Sequence, residues 1–268
     1  MPDVYLTINE ADPALLAEIA KGLELRASLP QQIAILETYL GDIDFPENVR
    51  VLDVGCGTGA QSRTLIKRPD VAEVVGADQA TFLIEHAREL AAGLEGLTFV
   101  EAPGDDLPFD AASFDVIVAH TVLTHVADPE AVLAELFRVL RPGGTLAICD
   151  GDFSTMSAAI GDRDPLQACA ESFVEHQVND AWLMRRLPRM VRAAGFVPGQ
   201  ARSFNFIETE DPATTANWFR RGADGLVKEG RIGPDLAAAL KAEIERRVAA
   251  GTYFGGMKYD SLISGKPE

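Results

Sequence analysis

The chain has 268 residues, long enough for one large α/β domain with additions. Its 24 Lys plus Arg against 41 Asp plus Glu give a net charge of −17 with no basic cluster to offset it, which argues against a nucleic-acid partner, whose affinity comes largely from phosphate neutralisation. Three cysteines, Cys56, Cys149 and Cys169, suit neither a disulfide framework nor a metal site, no span of about 20 apolar residues is present to enter a membrane, and residues 1–11 lack the pattern of a secretory leader. A cytoplasmic protein, monomer or homodimer, acting on a small molecule is expected.

In chain order, Asp12-Pro13 reads as a capped helix start, with Leu15, Leu16, Ile19, Leu23 and Leu25 as its apolar stripe to about Ala27. A second helix follows Pro30, with Ile33, Ile35, Leu36 and Leu40 inward and Gly41 at its end. Val51, Leu52 and Val54 then form a strand pattern buried on both faces, and Asp53 is a charge that needs a polar partner there. The strand runs into Gly55-Cys56-Gly57-Thr58-Gly59, where glycines let the backbone turn and approach a ligand before a helix from about Ala60 to Lys67. Glu73 to Ala77 is a second strand, and Asp78 at its end stands where an acidic residue receives ribose hydroxyls or caps the next helix. Phe82, Leu83, Ala87 and Leu90 make that helix amphipathic, and Leu97 to Val100 is a third strand.

Ser113 to His120 follows as a fourth strand. Asp128 and Pro129 open a helix, with Arg138 and Arg141 in its last turn and Gly143-Gly144 beyond it, and Thr145 to Cys149 is a fifth strand. The regular alternation then stops. Phe153 to Val178 reads as a weakly patterned helical stretch, Asp180 to Gly195 as a better helix, Ala201 to Glu208 as a strand, Pro212 to Lys228 and Pro234 to Ala249 as helices, and Tyr253 to Ser264 as a last strand.

The run Asp53-x-Gly55-x-Gly57-x-Gly59, the Leu107-Pro108-Phe109 segment, Leu123-x-His125-Val126, Asp128-Pro129 and Arg141-Pro142-Gly143-Gly144 together resemble the class I S-adenosylmethionine-dependent methyltransferases, continuously from about Val49 to Asp150. The resemblance implies an α/β, Rossmann-like doubly wound seven-stranded sheet, mostly parallel with its last strand antiparallel, flanked by helices on both faces and a helical lid. It divides the chain into N-terminal helices covering the site (1–48), a cofactor-binding core (49–151), a lid (152–180) and a C-terminal part of the sheet (181–268) with a helical insertion at 212–249.

The implied cofactor is S-adenosyl-L-methionine, held by Arg26, Asp53, Gly55, Gly57, Gly59, Asp78, Gln79, Gly104, Asp105 and His120. Pro103 departs from the family, standing where many members carry an adenine-binding Asp, so Gly104 and Asp105 are expected to read the adenine edge. His120, His125, Asp150 and Asp152 are the candidate bases near the strand ends. Because Gly55-x-Gly57-x-x-Ala60 also satisfies the dinucleotide fingerprint, an NAD(P)-dependent oxidoreductase is an alternative, and a non-catalytic cofactor-binding protein is another.

Overall fold

Seven strands form one sheet in the order β3-β2-β1-β4-β5-β7-β6, in a computed structural model that describes residues 3–268. The first two residues of the expected unit 1–48 lie outside the described residues. The strands are β1 (Val49–Val54), β2 (Val71–Asp78), β3 (Leu97–Glu101), β4 (Phe114–His120), β5 (Leu140–Ser157), β6 (Val197–Glu208) and β7 (Gly255–Gly265). β1 to β5 pair in parallel, and β7 lies antiparallel between β5 and β6.

The helices are α1 (Pro13–Ser28), α2 (Pro30–Leu40), α3 (Ala60–Leu65), α4 (Thr81–Leu90), α5 (Pro129–Val139), α6 (Leu166–Gln177), α7 (Leu183–Ala193), α8 (Thr215–Lys228) and α9 (Pro234–Ala249). Strand periodicity divides the core. Val51, Val116 and Val118 face Leu36 and Tyr39 of α2, Leu65 of α3 and the α6, α8 and α9 layer, whereas Leu52, Val54 and Ile117 face Leu133 and Leu136 of α5 and Leu187 and Val191 of α7. Both expected aspartate caps form: Asp12 accepts from the Ala14 N–H at 2.8 Å, and Asp128 from the Ala131 N–H at 2.9 Å.

Four local expectations are corrected. Arg141 is not in the last turn of α5, which ends at Val139; it lies in β5 and pairs with Asp115. β5 does not stop at Cys149 but runs to Ser157, so Phe153 to Ser157 is strand where helix was expected. The cause is β7, whose antiparallel pairing (Asp150 with Asp260, Asp152 with Lys258, Ser157 with Gly256) supplies a ladder that residues rich in Asp, Gly, Ser and Thr would not hold alone. The third correction concerns α2, where Ile33 faces outward and Gln32 is buried in its stead. Finally, α8 begins at Thr215, because Glu208 accepts from the Thr214 and Thr215 N–H groups and fixes the start there.

The α6 and α8 helices cross at Gly222 so closely that a Cβ there would stand 1.8 Å from the Cys169 carbonyl oxygen. Gly222→Ala is therefore expected to destabilise the fold by about 1–3 kcal/mol or more. Gly22→Ala, on α1 with nothing within 4 Å of the added carbon, should be neutral or stabilise by up to about 1 kcal/mol. Denaturant midpoints of the two variants check the contrast; equal midpoints would show that the helices separate freely.

Candidate active site

The glycine loop is held from beneath and from the side by two carboxylates. Gly55, Gly57 and Gly59 all take left-handed backbone, with φ of 64°, 52° and 74°. A Cβ on Gly55 would meet Val122 at 2.5 Å, and one on Gly59 would meet the Phe99 ring at 2.7 Å. Asp53, 1% exposed beneath the loop, finds its partner in Ser62 of α3, whose hydroxyl donates to it at 2.5 Å. Burial pushes the Asp53 carboxyl up to about 7, against the pull of that hydrogen bond. Asp78, at the end of β2, accepts the Gly57 N–H at 2.8 Å through one oxygen and the Ala80 N–H at 2.9 Å through the other. Each oxygen keeps a lone pair for a hydroxyl donor.

Over this loop lies a cavity of about 230 Å³. Of the residues expected there, Gly55, Gly57, Asp78, Gln79, Gly104, Asp105, Arg26, His120 and His125 line it. Asp53, Gly59 and Asp152 do not. Asp53 and Gly59 shape the loop from behind, while Asp152 belongs to the extended β5 and is held by Arg185 at 3.0 Å and by the Ser154 hydroxyl. Asp150 is wholly buried, with its oxygens taken by the Thr124 N–H, the Thr124 hydroxyl and the Gly151 N–H. It anchors the short 3-10 turn Leu123–His125 to β5.

Arg26 reaches across from α1 to donate to the Thr121 hydroxyl at 2.8 Å, next to a strained backbone position at Thr121 (φ 56°). His120 is buried with Nδ1 3.0 Å from the Tyr39 hydroxyl; burial, with Arg26 nearby, pulls its pKa down to about 3, so the ring is neutral near neutral pH. His125 has a different setting. Its Nδ1 lies 2.6 Å from an Asp3 oxygen, and the Asp3 side chain is fully buried and also accepts the Tyr5 and Asn179 N–H groups.

The N-terminal unit was expected to cover the site, but the turns that precede α1 and their contacts were not foreseen. Val4–Glu10 forms 3-10 turns kinked at Thr7, and Tyr5, Leu6 and Ile8 line the cavity. Gln79 ties it down: its side-chain amide donates to the Tyr5 carbonyl at 2.8 Å, and its own carbonyl accepts from Asn9 at 2.7 Å. A sequence signal existed only for the local turn, Asp3 being able to accept an N–H two residues on. No residue of 152–180 or of 212–249 lines the cavity.

A family model described as "Methyltransferase domain" matches residues 52–148. The chain is 35% identical over 170 residues to the demethylmenaquinone methyltransferase of Clavibacter sepedonicus, a match covering 58% of this chain and 68% of that one. It belongs to the class I S-adenosylmethionine-dependent methyltransferases. An uncharacterised 37.1 kDa protein from transposon TN4556 of Streptomyces fradiae is 29% identical over 220 residues, covering 81% of this chain and 63% of that protein's length. The YcgJ protein of Bacillus subtilis shares the fold, with a TM-score of 0.61 at 20% identity over 87% of this chain and 98% of that one. Membership settles the choice between cofactor families, and the sheet agrees with it: the inserted antiparallel β7 is absent from the parallel 3-2-1-4-5-6 order of dinucleotide-binding enzymes. Among the described residues no helix is long and apolar enough to cross a membrane.

The cavity suits the family's cofactor. A carboxylate with free lone pairs (Asp78) and a guanidinium (Arg26) both line it, together with apolar Leu83, Ala102, Val122 and Val132. Hydroxyls, a carboxylate and a flat apolar ring each find a matching surface.

Burial places Asp53 and His120 on opposite pH slopes. Asp53 keeps in the fold a proton that an unfolded carboxyl releases near about pH 4, so its contribution to stability falls as pH rises from about 4 to about 7. His120 resists a proton that an unfolded imidazole takes near about pH 6.5, so its contribution is lost as pH falls from about 6.5 toward 3. Relative to the parent, Asp53→Asn should make stability climb more steeply with pH across this window, and His120→Gln should tilt it the other way. Denaturant unfolding across the window reads the slopes; three parallel curves would contradict both assignments.

Proposed function

We propose that this methyltransferase acts on a small organic acceptor by in-line displacement, with His125 as the base that removes the acceptor's proton. The observation that carries this is the Asp3–His125 pair: a cavity-lining imidazole whose Nδ1 is fixed by a buried carboxylate, leaving Nε2 to take a proton. The ring is held between Tyr5, at 4.8 Å between centroids, and Phe153, at 5.9 Å. His120 is the weaker base, because burial opposes its protonation. A small acceptor is supported by the printed names of relatives: besides demethylmenaquinone methyltransferase, a ubiquinone biosynthesis O-methyltransferase of Cereibacter sphaeroides is 37% identical over 145 residues.

When bound, S-adenosylmethionine supplies an electrophilic methyl group on a sulfonium. The chain's own residues orient and enclose it. Asp78 takes the ribose hydroxyls, Arg26 the carboxylate, and Gly55 and Gly57 the backbone approach, while Gln79 and His120 close the sides. Gly104 and Asp105 replace the adenine contact that Pro103 cannot make. Of the expected covering segments, the N-terminal unit is the cover, and 152–180 supports it through the Asn179 N–H on Asp3. Positioning supplies much of the acceleration in such chemistry, and water exclusion is the cover's task.

Asp78→Ala should weaken S-adenosylhomocysteine binding roughly 10- to 150-fold, as expected for loss of about 1.5–3 kcal/mol of charge-assisted bonding. Calorimetric titration tests it, and unchanged affinity would remove Asp78 from the ribose role. It should also lower stability, because the Gly57 and Ala80 N–H groups lose their acceptor.

With radiolabelled S-adenosylmethionine and a panel of phenol, amine and carbon-acid acceptors, His125→Gln should lower the transfer rate by about 10²–10⁴-fold. The ascending limb of the pH–rate profile should disappear with it, while S-adenosylhomocysteine affinity stays the same. Asp3→Asn should slow transfer with cofactor binding intact. An unaltered pH profile in His125→Gln would assign proton removal elsewhere, and no transfer to any acceptor by the parent would favour a cofactor-binding protein.

A further inference from the structure

Beside the cofactor cavity lies a smaller one of about 60 Å³ between α1, α2 and α3. The two meet along Arg26, Ala60, Gln61 and His120, which line both. The smaller one has its own mouth: Ile33, Glu37 and Thr64 at its rim are exposed, while Gln32, Leu36 and His120 deeper in are buried. On α2 the side chain turned inward is Gln32, 4% exposed, although its neighbour Ile33 would have filled that place without cost and is instead 41% exposed. Neither the nitrogen nor the oxygen of the Gln32 amide has a hydrogen-bond partner among the described residues. Tyr259 lies near the amide but outside hydrogen-bonding geometry. A buried amide with both ends unpaired is an expense that native folds rarely keep without a ligand or a bound water to meet it.

The geometry points to this side chamber as the acceptor's subsite, with Gln32 gripping the acceptor's polar head so that its nucleophilic atom projects past His120 into the cofactor cavity, which His125 lines. The inference rests on the proposed methyl transfer and adds where the acceptor enters and what it must look like. In-line displacement needs the nucleophile to approach from a side that the cofactor's own body does not fill, and a second channel joining the first cavity at His120 and Arg26 provides one. The amino-acid end of the cofactor would need no separate opening to the surface.

A primary amide offers a donor and an acceptor side by side, so the matching head carries an acceptor beside a donor, as in a hydroxyl next to a carbonyl. The head is uncharged, because Arg26, the cation that lines the chamber, is committed under the proposed function to the cofactor's carboxylate, and Glu37 stands at the exposed rim, leaving no charge in the buried part to neutralise it. It is also small. The volume admits a few heavy atoms, room for only a few waters at about 10–15 Å³ each. Exposed Ile33 at the mouth lets an apolar remainder of the acceptor lie outward.

The probe is salicylamide, which carries a hydroxyl beside a carboxamide, titrated into ¹⁵N-labelled protein saturated with S-adenosylhomocysteine; benzene serves as the ring without the head. Saturable shifts are expected at the Gln32 side-chain amide and at the backbone of Ile33 and His120 with salicylamide and not with benzene. In Gln32→Met, which keeps the length of the side chain and removes only unpaired groups, salicylamide affinity should fall about tenfold or more. S-adenosylhomocysteine affinity and the thermal midpoint should stay the same or rise.

No saturable shift at these residues, equal response to benzene, or undiminished salicylamide binding by a folded Gln32→Met would overturn the inference. A fall in S-adenosylhomocysteine affinity in that variant would overturn it too, by assigning the amide to the cofactor's amino-acid end. Failure of the parent to bind S-adenosylhomocysteine at all is a separate result, which would strike the methyltransferase reading itself.

Discussion

The site depends on two buried or half-buried carboxylates at the ends of adjacent central strands. Asp53 and Asp78 hold the glycine loop between them, one through Ser62 on the helix that follows the loop and the other through the Gly57 N–H. Three left-handed glycines at alternate positions, Gly55, Gly57 and Gly59, would otherwise sample many conformations, each costing entropy to fix. The carboxylates impose one. That service has its own cost, visible in the raised pKa of Asp53, and the opposing slope of His120 offsets it across the same pH range. A lone buried acid or a lone buried imidazole would make stability depend strongly on pH; together they leave it flatter.

Much of this was legible because it is local. The apolar run of β1, the glycine spacing and the Asp12 and Asp128 caps each rest on residues a few positions apart, and Asp78 stands at the regular interval of about 20 residues beyond the glycine loop, relations that sequence shows directly. What was not legible joins distant segments. Asp3 meets His125 from the far side of the chain, and nothing near Asp3 announces a buried carboxylate. Ile33 was expected inward and Gln32 was given no place, because an apolar residue is the ordinary choice for a core position, and only a cavity beneath α2 makes an inward Gln intelligible. Asp53 and Gly59 were placed on the ligand's surface by motif, whereas packing shows them shaping the loop from behind.

The extended β5 connects the unforeseen part of the fold to the unforeseen part of the site. Without β7 between β5 and β6, residues 150–157 would have no ladder on that side, and their composition favours loop. With β7 in place Asp150 is fixed at the sheet's end, where it receives the Thr124 N–H and hydroxyl and so pins the turn that carries His125. Phe153, further along the same strand, packs against the His125 ring. A strand pairing therefore sets one edge of the imidazole.

The N-terminal segment sets the other edge, through Asp3 and Tyr5, and is itself fastened to the cofactor end of the site by Gln79 and Asn9. Under the proposed roles, the residue following the ribose-binding Asp78 thus holds the strap that orients the base. Tyr5, Leu6 and Ile8 line the cavity, so a ligand beneath them adds contacts to a strap that the Ile8 cluster and the Tyr5–His125 packing already hold. The proposed acceptor chamber, between α1, α2 and α3, meets the cofactor cavity at Arg26 and His120 and has no strap residue in its lining, so that enclosing one reactant need not shut out the other.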